Sequence, residues 1–190
     1  MKRIVSGNNA IKMITALLAV GILSAVSLVF IYQRAIPKIE ANVREETKEA
    51  IESIFPGAAK IEKIEGKEIF RVEDAGGRLL GYAFPAEGNG YQGIIKLIAG
   101  TDPDISVIKG MKVLESQETP GLGAEIDSKD FRAQFAGLSI ERPVEYVKNR
   151  KPEKPYQIEA ITGATISSRA VVTILNNGIR EIRKALKDEP

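Results

Sequence analysis

Met13 to Tyr32 reads MITALLAVGILSAVSLVFIY, 20 residues without one charged side chain. As a helix rising about 1.5 Å per residue it is about 30 Å long, which matches the hydrocarbon thickness of a bilayer. Such a segment cannot serve as a surface helix of a soluble domain. It divides the chain into a short leader (1–12), a membrane helix (13–32) and everything beyond. A cleaved signal peptide is the competing reading, but its apolar region normally has about 7–15 residues, fewer than here. An uncleaved anchor is therefore expected.

Lys2, Arg3 and Lys12 precede the run, and residues 1–33 contain no acid. This bias favours a cytoplasmic N-terminus, with the remainder outside, in a cytoplasmic (inner) membrane. Those three cations also account for the positive balance: without them the net charge of +2 becomes −1. The outer part has no basic stripe, so nucleic acid is not an expected partner. Its 157 residues suit one domain with its own core.

The chain has no Cys, His or Trp. This excludes disulfides, thiolate nucleophiles, Cys-ligated iron–sulfur clusters, a Ser-His-Asp triad and His-ligated zinc. No metal site and no catalytic residue is expected. Redox or group-transfer chemistry would have to come from a bound cofactor.

Pro37 predicts a break just past the membrane run. Residues 38–54 then place Ile39, Val43, Ala50, Ile51 and Ile54 at mostly helical spacing among dense charges, an amphipathic helix that Phe55-Pro56-Gly57 ends. A helical linker at 33–57 would thus lead to a domain at 58–190. Four apolar, β-branched stretches follow, at Glu68–Val72, Leu79–Phe84, Gly90–Ala99 and Ile105–Val113. Turns at 74–77, 87–90 and 100–104 separate them, and connections this short imply an antiparallel meander. A short helical piece is expected at Phe131–Phe135, and short strands at Val144–Val147 and Gln157–Ile161. A last helix should run from about Ser168 to Lys187 on a stripe of Val171, Ile174, Leu175, Ile182, Ala185 and Leu186, with Gly178 as its weak spot. Strands first and a helix last make the domain α+β, an antiparallel sheet with a C-terminal helix.

Two small-residue loops could hold a ligand. Thr162-Gly163-Ala164-Thr165-Ile166-Ser167-Ser168 opens the last helix, where free N–H groups and the dipole favour an anion such as phosphate. Ser167 or Ser168 could cap that helix. Glu118-Thr119-Pro120-Gly121-Leu122-Gly123 predicts a type II turn, with Gly121 at the position that needs positive φ, and Leu122 could touch a ring face. Read singly, each is equally an ordinary turn. Tyr82, Tyr91, Tyr146 and Tyr156 could stack on a cofactor or simply be half-buried on strands. The charged run Lys148–Lys154 could be a solvated loop, though one Lys could face an anion. A hydrolase using Ser167 or Ser168 would have only Lys or a carboxylate to activate it.

Together, an N-terminal anchor, GYQGIIKLIAG, SQETPGLGAEI and EAITGATISSRAV resemble the G subunit of the Rnf electron-transport complex, whose relative is the C subunit of the sodium-pumping NADH:quinone oxidoreductase. The resemblance covers essentially the whole chain in order. It implies an extracytoplasmic FMN-binding domain in which the Thr of GAT, Thr165, carries FMN through a phosphoester made by a dedicated flavin transferase. It implies Thr162, Gly163, Ala164, Ser167, Ser168, Glu118, Thr119, Gly121, Leu122 and Gly123 around the flavin, with Lys148 a further residue. The transferase signature usually opens with Asp six residues before the modified Thr; here Glu159 stands there. The implied function is an electron relay among the A, B, C, D and E subunits of an Rnf complex, without independent turnover. Electrons would pass between ferredoxin and NAD⁺ with movement of Na⁺ or H⁺. The other function considered is an anchored binding module for a flavin or phosphorylated ligand.

Overall fold

The computed structural model describes residues 7–187. It divides into two compact units, Met1–Glu45 and Glu46–Pro190. The first is the greater part of helix α1 (Gly7–Ile54), and its apolar stretch is long and apolar enough to cross a membrane, with a mean hydropathy of 2.6 over 18 residues. Ile14, Leu17, Leu18, Ile22, Leu23 and Phe30 are all exposed on it. So many bare apolar side chains are stable in lipid and not in water. The break expected at Pro37 is absent, since α1 continues through it. Pro37 removes one N–H donor and crowds the carbonyl of Gln33, a local cost that kinks a helix without ending it when both flanks are helical. Gly57, at φ 91°, marks the stop after Ile54, as the Phe-Pro-Gly run predicts.

The second unit is built on a five-stranded antiparallel sheet with strands side by side in chain order: β1 (Lys60–Lys63), β2 (Phe70–Glu73), β3 (Leu79–Asn89), β4 (Ile94–Thr101) and β5 (Ile108–Ser116). The meander and α+β class follow the sequence reading. Two details differ. Strand β1 was unforeseen, because KIEK is a charged segment on a sheet edge with no apolar alternation. Strand β3 also runs on through Glu87–Asn89, so the β3–β4 turn is residues 90–93. The eight-residue ladder with β4 overrides the turn preference of Glu-Gly-Asn.

Strand alternation sends side chains to two cores. On one face Phe84, Leu97 and Ala99 pack with helix α3 (Thr165–Lys187) through Val171, Ile174, Leu175, Ile179 and Ile182. On the other face Val72, Ala83 and Ile98 pack with Ala50, Ile51, Ile54 and Phe55 from the end of α1. Each fully buried Ile or Leu contributes about 1.5–3 kcal/mol. Gly178, the weak point of α3 by propensity, lies at a close approach: a Cβ there would stand 2.5 Å from Phe84 Cε2.

Between β5 and α3 the chain makes a 3₁₀ turn (Gly123–Asp127), the short helix α2 (Lys129–Ala133) and two short strands, β6 (Glu145–Val147) and β7 (Gln157–Glu159), which pair in parallel. Ser128 caps α2 by accepting the Phe131 N–H at 3.3 Å. The parallel pair sets β7 so that the chain leaves it directly into the Thr162–Ser168 segment.

Candidate functional site

The first loop is set by Pro120 and Gly121. The Leu122 N–H donates to the Thr119 carbonyl at 3.1 Å, and Gly121 has φ 72°. This matches the type II turn expected from the sequence. Ala124 donates to the same carbonyl at 3.0 Å, which turns the chain at once into the 3₁₀ segment. Leu122 is left 49% exposed.

The second loop repeats the device. The Ala164 N–H donates to the Ile161 carbonyl at 3.0 Å, and Gly163 has φ 83°. Helix α3 then begins at Thr165, three residues before the expected start. Ser167 and Ser168 therefore do not cap it; they lie inside its first turn, buried. Ser168 Oγ accepts the Ile161 N–H and donates to the Ala164 carbonyl, both at 3.0 Å, so it fastens the loop to the helix it opens. The Ser-Ser pair suggested a cap by residue type, but the turn at Gly163 lets the backbone enter the helix earlier.

The two loops meet. A Cβ built on Gly163 would lie 3.5 Å from Leu122 Cδ2. Beneath them Glu118, only 6% exposed, is the common anchor. Its Oε2 accepts the Ser167 hydroxyl at 2.6 Å, and its Oε1 accepts the Tyr91 and Gln92 N–H groups at 2.6 and 3.1 Å. Burial alone raises the pKa of this carboxyl, but the bonds from Ser167, Gln92 and Tyr91 favour the anion and the net direction is downward. Glu118 is thus a carboxylate at neutral pH. Gly123 has no room for a side chain, since a Cβ would overlap Glu118 Oε2 and stand 2.7 Å from Ser167 Oγ.

Thr165 is the first residue of α3 and is half-buried at the surface of this cradle. An α-helix leaves its first N–H groups without intrahelical acceptors. Those of Thr165, Ile166 and Ser167 find no other acceptor among the described residues, and neither does the Thr165 hydroxyl. Thr162 and Gly163 are exposed beside it, Ala164 is buried, and Thr119 is half-buried on the facing loop. Lys148 is exposed just past β6, one residue beyond Val147, whose carbonyl accepts the Ala160 N–H at 2.9 Å. It is near the second loop in the backbone and makes no ion pair among the described residues.

Sequence reasoning overlooked two contributors. The backbone N–H groups of Tyr91 and Gln92 act through no side-chain signal, and only Gly90 and Gly93 around them hinted at a tight turn. Gln134, after α2, holds Glu159 on both sides: Nε2 donates to the Glu159 carbonyl at 3.2 Å and Oε1 accepts its N–H at 2.6 Å. No motif announces that contact.

Comparison with known proteins gives the family. Residues 90–180 match the FMN-binding domain family. The chain is 33% identical over 178 residues to the G subunit of the ion-translocating oxidoreductase complex of Methanosarcina acetivorans, covering 88% of this chain and 92% of the relative. It belongs to the G-subunit family of ion-translocating oxidoreductase complexes. It is also 34% identical over 125 residues to the G subunit of the proton-translocating ferredoxin:NAD(+) oxidoreductase complex of Clostridium ljungdahlii, covering 66% of this chain and 65% of that one. Among solved structures it is similar to the C subunit of the Na(+)-translocating NADH-quinone reductase of Parabacteroides distasonis, at TM-score 0.56 and 28% identity, covering 64% and 63% of the two chains.

The FMN-binding match begins at the β3–β4 turn and ends inside α3. It therefore contains every segment that Glu118 joins. The free N–H groups at the start of α3 suit a phosphate, and the exposed Leu122 suits the face of a flat ring. No metal-type cluster of three or more His, Cys, Asp or Glu occurs among the described residues.

Proposed function

We propose that this member of the G-subunit family carries FMN covalently on Thr165, through the flavin phosphate, and relays electrons within a membrane-bound complex of the Rnf type. The observation that carries the reading is the position of Thr165. It is a partly exposed residue at the first position of a 23-residue helix, with free N–H groups around it, the Gly163 turn just before it and the Gly121 turn on the facing loop.

FMN, when bound, supplies the electron-transfer chemistry that the side chains here do not. The chain holds and places it. In the flavin transferase, the bond from Thr165 Oγ to the flavin phosphorus would form as the phosphoanhydride bond of a flavin dinucleotide breaks, the nucleoside monophosphate leaving and the hydroxyl proton passing to the transferase or to water. The N–H groups of Thr165, Ile166 and Ser167 and the α3 dipole favour the remaining phosphate charge, by about 0.3–1 kcal/mol and up to about 2 where partly buried. Gly163, Ala164 and Gly121 keep the approach open. Leu122 offers an apolar surface, Thr119 and Thr162 offer hydroxyls at its edge, and Lys148 offers a cation. No residue needs to act as acid or base.

The names of the relatives support electron transfer between ferredoxin and NAD⁺ coupled to Na⁺ or H⁺; the redox partners in this proposal are the other Rnf subunits (A, B, C, D and E). The Lys2, Arg3 and Lys12 bias supports a cytoplasmic N-terminus and an extracytoplasmic flavin domain, the membrane being the inner one. A covalent bond suits that side, because a flavin lost there is not readily replaced.

The test is expression of the full chain with the transferase, followed by denaturing electrophoresis under ultraviolet light and intact-mass measurement. The wild-type chain gives a fluorescent band and a mass increment of one FMN ester; Thr165→Ala gives neither. A band in Thr165→Ala refutes this attachment site. Native protein that binds flavin but loses it on denaturation supports a reversible binding module instead.

A further inference from the structure

Glu118 receives only donors. Two backbone N–H groups from the β3–β4 turn converge on one oxygen and the Ser167 hydroxyl on the other. The Glu118 N–H is itself held by Ser116 Oγ at 3.2 Å. With 6% of its surface exposed and both oxygens engaged, Glu118 has little left to offer a ligand directly. Its effect passes through the segments it joins. Gly90 is built to this arrangement, for a Cβ there would overlap Glu118 Oε1 and stand 2.7 Å from Ile95 Cδ1.

A second observation concerns what those segments present. From Glu46 onward, the exposed large apolar side chains among the described residues are Tyr91, Ile94, Leu122 and Ile166. Ile94 alternates with Ile95 onto the sheet face away from α3, but the other three lie on the segments that Glu118 links: the 90–93 turn, the exit from β5 and the first turn of α3. Scattered exposed apolar residues are ordinary, whereas three confined to converging segments mark a covered surface.

We propose that Glu118 is a positioning residue that clamps the 90–93 turn to α3. The turn then forms a third wall of the site, and Tyr91 joins Leu122 and Ile166 as its apolar rim. The occupant is the flavin ring of the chain itself, so this inference rests on the flavin reading above. A planar, largely apolar ring tethered only through its phosphate needs such a rim to stop it swinging freely.

The carboxylate is the fitting group because it accepts at both oxygens and donates at neither. An amide can replace it: Oε1 still accepts from Tyr91 and Gln92, and Nε2 donates to Ser167 Oγ once that hydroxyl turns away. Aspartate cannot, being shorter by one carbon–carbon bond of about 1.5 Å. Shape and charge are therefore separable by substitution.

The test has two arms on the full chain in detergent or nanodiscs. In the flavin-free Thr165→Ala background, amide hydrogen exchange is followed at Tyr91 and Gln92. Protection falls about tenfold or more in Glu118→Asp and is retained in Glu118→Gln. Equal loss in both variants, or loss in neither, overturns the clamp. In the flavin-loaded chain, flavin fluorescence anisotropy reads ring mobility. It falls in Glu118→Asp and returns towards wild type in Glu118→Gln. Unchanged anisotropy in Glu118→Asp, with the exchange arm positive, shows a clamp that serves no flavin wall and overturns the proposal. If the wild-type chain with its transferase carries no flavin, the exchange arm still reads the clamp, and it is the flavin reading that falls.

Discussion

Gln134 holds Glu159 by both of its backbone groups, donating to the carbonyl at 3.2 Å and accepting the N–H at 2.6 Å. One side chain thereby satisfies the end of β7 in place of a further strand, six residues before Thr165. Gln134→Ala leaves that N–H and carbonyl unpaired, a loss of about 1–3 kcal/mol. Thermal unfolding of the full chain should show the lower midpoint. Gln134→Glu, which keeps an acceptor but loses the donor, should fall between the two.

Thr165→Val removes the hydroxyl while keeping the shape. That hydroxyl has no partner among the described residues, so the unmodified chain should change stability by less than about 0.5 kcal/mol. Covalent flavin should vanish all the same. A large loss of stability in unmodified Thr165→Val would show that the hydroxyl has a structural task.

Gly123→Ala places a methyl group against Glu118 Oε2 and Ser167 Oγ. Either the carboxylate or the helix must move, and overpacking of this kind costs about 1–3 kcal/mol. Chemical denaturation measures it. The substitution should also lower flavin loading, since Ser167 follows Thr165 by two residues.

Gly178→Ala sets two effects against each other. Helix propensity favours Ala by about 1 kcal/mol. The new Cβ would stand 2.5 Å from Phe84 Cε2 and 3.0 Å from Ala86 Cβ, both on β3. Overpacking of about 1–3 kcal/mol exceeds the propensity gain. The variant should melt below wild type, and a higher melting point would show that α3 can lift off β3 at little cost.

Glu118 also fixes the sign of a pH effect. Burial opposes its charge, but the bonds from Ser167, Gln92 and Tyr91 prevail, so its folded pKa is below the ordinary 4.5. A depressed carboxylate stabilises the fold in full above its unfolded pKa and loses that contribution as pH falls through the folded one. Stability of the flavin-free chain should therefore drop as pH is lowered below about 4.5, and Glu118→Gln should lessen the slope. Asp102 behaves in the same direction, because the bonds from Ser106 and Val107 outweigh its burial. A slope unchanged in Glu118→Gln would assign the effect to Asp102 and other acids.

The parts legible beforehand are those where local chemistry and fold agree. Pro120-Gly121 predicts its turn because positive φ is nearly a glycine property, and α3 follows from an apolar stripe at helical period. Strand β1 was hidden because KIEK pairs through its backbone alone, on an edge where charged side chains are normal. Residue type offers Ser167 or Ser168 as a cap, because a hydroxyl suits a helix start, while the backbone turn at Gly163 decides where the start lies. The partners of Glu118 were illegible for a different reason: two are main-chain N–H groups, and the third is 49 residues away.

The sheet and the cradle differ in what their assembly requires. Each of the five strands pairs with its neighbour in sequence, so the meander needs only short loop closures. The cradle draws on β3–β4, on the exit of β5 and on α3, and Ser167 completes it only when α3 docks. Thr165 is thus set in place by the same docking of α3 that closes the core over Phe84. A chain stalled before that step would hold a paired sheet and still offer no seat for a nucleotide.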